Sequence, residues 1–204
     1  FDSSLVSDWG LTGMGVDISR VSIRSNNLGD RSRTMMNFFM EHRFYLFNKS
    51  VDITPGLVAN YFSDFGSHSF PGIDIGWQIS PKLRIYANSG ATFRIPTFTD
   101  LYYSDRTTSG NANLKPEEAT SSEVGVRFFS PKVSFSFAFF SRKAKNLIDY
   151  VKNAKDDNIP FKAENIQQIN TSGIDFELTH RIKINSLIHE FKISYSYLEN
   201  NLKN

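Results

Sequence analysis

The side chains able to do chemistry in this sequence are few and scattered. Histidines stand at His42, His68, His180 and His189, and none shares metal-ligand spacing with another histidine or with a supporting pair of acids. Cysteine is absent, which removes disulfides, thiolate metal sites and thiol nucleophiles. The stretch Gly66-Ser67-His68-Ser69 lacks the second glycine and the strand-to-helix setting of a nucleophile elbow. Glu117-Glu118 and Asp156-Asp157 are adjacent carboxylates. Side chains adjacent on a strand point to opposite faces, so these pairs make poor acid/base couples, and a solvated loop explains them better. No catalytic set, metal site or cofactor site emerges, and an enzyme is not expected. Tyr102, Tyr103 and Arg106 are the best candidates to hold a ligand, because aromatic rings give contact area and a guanidinium recognises anions.

The elements that would position these residues are strands. From Ile174 to Ile184 the even positions are Ile, Phe, Leu, His, Ile and Ile, and the odd positions are Asp, Glu, Thr, Arg and Lys. Phe135, Phe137 and Phe139 alternate with Ser134, Ser136 and Ala138, and Phe191, Ile193, Tyr195 and Tyr197 alternate with Lys192, Ser194 and Ser196. Ile73, Ile75, Trp77 and Ile79 repeat the pattern, as do Leu83, Ile85 and Ala87. Alternation over so many segments means strands with one apolar and one polar face. Thr34 to Phe47 also favours period two over a helix.

Tight turns are expected at Asn48-Lys49, Ser80-Pro81-Lys82, Ser130-Pro131-Lys132 and Asn185-Ser186, since proline presets the first corner of a turn and asparagine tolerates left-handed backbone. Between them lie longer polar stretches at 25–32, 63–69, 95–116 and roughly 152–165. Short and long connections thus alternate, giving about nine strands of about 10 to 14 residues in an up-and-down meander. Membrane barrels place short turns on the periplasmic side and long loops outside, and a tilted strand needs about 9 to 11 residues to cross the hydrocarbon. Aromatics beside the tight turns, such as Tyr45, Phe47, Trp77, Phe128 and Phe129, fit an interfacial girdle.

Composition agrees. Nineteen phenylalanines in a chain with a mean hydropathy of −0.33 are compatible if alternation hides an apolar face inside a polar average. A net charge of +2 gives no electrostatic case for nucleic acid. No apolar run is long enough for a transmembrane helix, and residues 1–10 are not a signal peptide, so the chain is expected to lack its natural start. The fold expected is all-β: an antiparallel up-and-down transmembrane β-barrel, present as an incomplete fragment. A soluble sandwich or lipocalin-like barrel is the competing fold, disfavoured by strand length and loop asymmetry.

The stretch from Ala87 to Val126 carries a resemblance. Phe93, Arg94, Pro96 and Thr97 close a strand, and Leu101, Tyr102 and Tyr103 follow. Next come Gly110, Asn111, Leu114, Lys115, Pro116 and Glu117, and then Glu123. In order and spacing this resembles the barrel signature of TonB-dependent outer-membrane receptors, of the cobalamin and siderophore branch. Residues 140–150 and 165–177 resemble the strands that leave and re-enter the membrane around the next outer loop.

The resemblance implies a structural role for Phe93 to Thr97 in ordering the outer loop, another for Asn111 to Pro116, and a Glu123 that opens the next strand. It also implies that residues 1–204 are a partial receptor barrel, with the plug domain and terminal strands absent. Active uptake of a scarce nutrient would follow, such as a ferric siderophore or cobalamin. TonB would be engaged by the missing N-terminal part, a small molecule would be the ligand, and outer-membrane lipid would surround the barrel. A passive porin-like barrel and a soluble β-rich binding or adhesion module remain the rival functions. For Tyr102 and Tyr103 the alternative to ligand contact is packing at the membrane interface.

Overall fold

A computed structural model describes residues 2–152, 159–166 and 168–203. Ten strands form one antiparallel sheet: β1 (Asp2–Ser7), β2 (Gly10–Ser25), β3 (Gly29–Leu46), β4 (Val51–Phe62), β5 (Gly66–Ser80), β6 (Leu83–Arg94), β8 (Glu117–Phe129), β9 (Val133–Lys145), β12 (Gln168–Ile184) and β13 (Leu187–Lys203). They lie side by side in chain order. Three short strands, β7 (Thr108–Ser109), β10 (Leu147–Val151) and β11 (Phe161–Ile166), form a second sheet in the order β10-β11-β7. One helix, α1 (Phe98–Tyr102), lies in the connection between β6 and β8. No helix of the described residues is long and apolar enough to cross a membrane.

The meander is as expected, with three differences. The sheet has ten strands rather than about nine, because Asp2–Ser7 pairs with β2. The strands run longer than expected, to 18 residues in β3 and 17 in β12 and β13. Nor do short and long connections alternate strictly. Residues 26–28 and 63–65 are three-residue turns, since the polar residues flanking them continue the strands beyond the apolar band. Only the connections after β6 and after β9 are long. The segment 152–165 lies partly outside the described residues, including Asp156-Asp157; its described parts belong to the β10–β11 hairpin.

Register shows why these residues make a wall. Ile174, Phe139, Val124, Ala87, Ile75, Ile53 and Phe44 pair successively across seven strands as one unbroken apolar row. The next row on the other face reads Asp175, Ala138, Gly125, Tyr86, Gly76, Asp52 and Tyr45. Large polar side chains there lie over small neighbours: a Cβ on Gly125 would fall 2.6 Å from the Tyr86 ring. The same face holds the ion pairs Arg84–Asp52 (2.7 Å), Lys192–Glu177 (3.1 Å) and Arg181–Glu190 (2.6 Å).

Hydrocarbon demands the apolar face outside, so the charged face lines the lumen. The apolar run Ile174 to Ile184, at about 3.3 Å per residue and tilted by about 45°, spans about 25 Å of bilayer normal.

Candidate functional site

Above the wall, the two long connections fold into a cap. Its base is Arg94, the last residue of β6. The guanidinium forks onto Glu117, the first residue of β8, donating from Nε at 2.7 Å and from Nη2 at 2.5 Å. A third nitrogen approaches Asp100 at 3.4 Å. Asp100 accepts from the Thr97 backbone N–H at 2.9 Å, while the Thr97 hydroxyl accepts from the Asp100 N–H at 3.1 Å. This reciprocal capping box starts α1 and satisfies two donors that a helix start leaves free. Glu117 also accepts from the Ile148 N–H at 2.8 Å, so the same carboxylate holds β10 in place.

Arg33 of β3 provides a second anchor. It is nearly fully buried, donates to both oxygens of Asp64 at 2.9 Å, and donates to the Pro96 carbonyl at 3.0 Å. Its guanidinium lies over the rings of Phe98 (4.9 Å) and Phe65 (5.3 Å). Pro96 is the largest fully buried side chain among the described residues. One cation therefore fastens β3, the β4–β5 turn and the start of the cap. Asn27 adds a two-way clamp, donating to the Ser104 carbonyl at 2.6 Å and accepting from the Ser104 N–H at 2.9 Å.

Inside the cap, Leu101, Leu114 and Ala163 are buried together, with Phe65, Tyr102, Ile148 and Tyr150 packed around them. Asparagines close the remaining backbone. Asn111 donates to the Ala163 carbonyl at 3.1 Å. Asn165 accepts from the Lys115 N–H at 2.8 Å and donates to the carbonyls of Lys115 (2.8 Å) and Asn146 (2.7 Å). Gly110 is needed because a Cβ there would sit 2.8 Å from the backbone of Leu101 and Tyr102. Burial, then the negative field and hydrogen bond of Asp100, push the Tyr150 phenol above its ordinary pKa.

The expected ligand residues fall in distinct settings. Tyr102 packs on the small core with the Arg31 guanidinium 3.9 Å above its ring. The Tyr103 hydroxyl donates to Asp105 at 2.9 Å. Asp105 also accepts from the backbone N–H groups of Thr107 and Thr108, both at 2.7 Å, and its pKa is held down at about 2, first by Thr107 and then by Tyr103. Arg106 is exposed and makes no ion pair among the described residues. Tyr102 and Tyr103 thus have partners within the cap, and Arg106 is the most solvent-exposed of the three.

Of the other motif residues, Phe93 packs against His68 (4.1 Å), Phe70 (5.2 Å) and Phe62 (5.9 Å). Leu114 and Lys115 have the cap contacts above, and half-buried Pro116 leads into β8. Glu117, not Glu123, opens β8. Glu123 is the seventh residue of the strand, pairs with Asn88 and Phe140, and bonds to Tyr86. Sequence reasoning missed Arg33, Asn27, Arg31 and Asp64. Their partners lie on other hairpins or loops, and nothing local marks them. Among the described residues no group of acids and histidines could hold a metal ion.

Comparison with known proteins follows the same outline. A family profile described as "TonB dependent receptor-like, beta-barrel" matches residues 3–204. The vitamin B12 transporter BtuB of Vibrio vulnificus is 33% identical over 115 residues, 56% of this chain and 18% of the relative. The BtuB of Photobacterium profundum is 30% identical over 136 residues, 66% of this chain and 21% of the relative. The matched stretches span about a fifth of these relatives.

Among solved structures, the siderophore receptor PirA from Pseudomonas aeruginosa superposes with a TM-score of 0.83 at 16% identity, over 98% of this chain and 41% of that one. A point mutant of the ferric enterobactin receptor PfeA from the same organism gives 0.75 at 16% identity, over 96% and 34%. At these identities the structures speak for the fold. All of these proteins are named as transporters or receptors, none as an enzyme.

Proposed function

Because this chain belongs to the TonB-dependent receptor β-barrel family, we propose that it forms part of the wall and extracellular cap of an outer-membrane receptor for active uptake of a scarce small molecule. The observation that carries this reading is the cap itself. The described parts of two long loops that leave the wall separately are joined by a shared core and by Arg94, Glu117 and Asn165 into one unit above the lumen-facing residues. A passive pore needs no such investment in ordered loops, whereas a receptor needs a fixed outer surface against which to select its ligand.

Cobalamin and ferric siderophores are the proposed ligand classes. The curated relatives are vitamin B12 transporters and the solved neighbours are siderophore receptors. Arg106 is the proposed contact on the cap, with Tyr102 and Tyr103 setting its position through α1 and Asp105. The first and last strands of the ten-stranded sheet are not paired with each other, which supports the proposal that residues 1–204 are a partial barrel. Further strands, a plug and a TonB-binding segment would then come from the rest of the protein.

The test is uptake by the intact receptor carrying this segment, in cells lacking their own cobalamin and catecholate receptors. Saturable uptake of radiolabelled cyanocobalamin or ferric enterobactin, abolished by a protonophore, is the expected result. Unsaturable entry that ignores the protonophore would overturn coupled transport while leaving the barrel wall in place.

A further inference from the structure

On the lipid-facing parity, the wall changes character at one level. Above the apolar row Ala87, Val124, Phe139 and Ile174 comes a row made only of serines: Ser89, Ser122, Ser141 and Ser172, in register across β6, β8, β9 and β12. The hydroxyls of Ser89 and Ser122 are 2.8 Å apart. The next row is Ala91, Thr120, Lys143 and Asn170. One step higher Lys145 pairs with Glu118 at 3.2 Å. Lys143 is exposed and has no carboxylate partner among the described residues. A cleft of about 570 Å³ opens here, lined by Phe93, Thr120, Lys143, Lys145 and Gln168 among others.

Height decides what this surface meets. Side chains immediately above an apolar band lie where lipid headgroups lie, and long cationic stems extend into that layer. Around Lys143 this surface offers five hydroxyls (Ser89, Ser122, Ser141, Ser172 and Thr120) and the Asn170 amide to an anion. Of the carboxylates on the same face, Glu118 is engaged by Lys145, and Glu199, which continues the serine row beyond Ser172, lies two strands from Lys143 on β13. An anionic phosphate accepts from such donors strongly, whereas in a zwitterionic choline headgroup the quaternary ammonium offsets the phosphate charge and is repelled by Lys143. We propose that this outward belt, centred on Lys143 with Ser122, Ser141 and Asn170, binds the phosphate of an anionic membrane lipid. The site depends on the barrel wall alone and is independent of which nutrient the receptor carries.

The experiment uses the intact receptor purified in a neutral detergent. Native mass spectrometry counts retained lipid after addition of phosphatidic acid or of chain-matched phosphatidylcholine, and the phosphatidic acid series is repeated with inorganic phosphate at matched concentration. Phosphatidic acid should be retained preferentially. Lys143→Gln should lower that retention about fivefold without changing phosphatidylcholine, in line with the contribution of one surface cation.

Ser122→Ala/Ser141→Ala keeps the charge and should give a smaller loss in the same direction, which guards against a charge-only artefact. Heat-modifiable gel mobility confirms that each variant is folded. Equal retention of the two lipids by the unaltered receptor, or no change in Lys143→Gln, overturns the site. Displacement by inorganic phosphate at matched concentration would also overturn it, by showing a free-anion site rather than a lipid site.

Discussion

The wall and the cap hold together by different means. In the wall, each strand is fixed by its neighbours through backbone hydrogen bonds. Side-chain identity enters mainly as parity, apolar toward lipid and polar toward the lumen. The rows from Ile174 to Phe44 and from Asp175 to Tyr45 tolerate much variety so long as parity is kept. In the cap, almost no regular ladder exists. Two short strand pairings and a single turn of helix are supplemented by individual side chains that reach backbone groups 50 to 77 residues away, as Asn165 and Asn27 do. The wall is therefore robust to single polar changes on its lumen face, and the cap is fragile at a few named residues.

Arg33 is where the largest effect is expected. Arg33→Ala leaves the Asp64 carboxylate and the buried Pro96 carbonyl without their donor, and removing one member of such a pair costs about 3 kcal/mol or more. Hydrogen exchange measured on the intact receptor should show the amides of 96–114 opening at least about a hundredfold more often. Exchange in β12 and β13 should be unchanged. If the wall strands loosened equally, wall and cap would be one cooperative unit.

The wall has its own test, in which facing matters more than size. Phe137→Arg puts a charge on the lipid side at a cost of about 2–4 kcal/mol near the bilayer midplane. Lys192→Ala removes one member of an exposed lumen ion pair worth at most about 1 kcal/mol. Folded yield in membranes, read by heat-modifiable mobility, should fall for the first and stay for the second. Equal yields would sink the facing assignment.

Leu101→Ala ranks next. The cap core is small, so the loss should sit near the lower end of the range for buried leucine, about 2 kcal/mol. Limited proteolysis between 95 and 116 should accelerate while the barrel keeps its heat-modifiable mobility.

The same contrast explains what the sequence revealed. Strand parity was legible because two solvents, lipid and water, act on alternate residues, and Ile174 to Ile184 records both. The turns at Pro81 and Pro131 were legible because proline acts locally. The turns at 26–28 and 63–65 were misjudged as long loops. Above the bilayer both faces of a strand meet water, so residues such as Ser32 and Ser67 lose alternation without losing their pairing. The cap motif was visible as a resemblance, but its anchors were not: Arg33 reads as one more lumen-facing cation until Pro96 and Asp64 are brought to it. Glu123 was misplaced as the opening of β8 for a related reason. Its partner Tyr86 lies across the sheet, while Glu117 is fixed by Arg94 and Ile148.

The smallest expected effect is confined to the tip of the cap, where Asp105 holds the turn that follows Tyr103. Its carboxylate is exposed, yet hydrogen bonds from the Thr107 N–H and then the Tyr103 hydroxyl lower its pKa from 3.8 to about 2. A carboxylate depressed by folding orders the turn fully above about pH 4, and that ordering fades as pH falls through about 2. Tyr103 moves the other way, its phenol raised by the hydrogen bond to Asp105, so its share is complete below the ordinary value of 10.0 and is lost as pH climbs past it. NMR titration of isotope-labelled aspartate in the intact receptor should place Asp105 well below its ordinary value of 3.8. Tyr103→Phe should raise it partway, since the backbone donors of Thr107 and Thr108 remain. An Asp105 that titrates near 3.8 would mean that the tip is unordered in solution, and that Arg106 is carried on a free loop rather than a fixed surface.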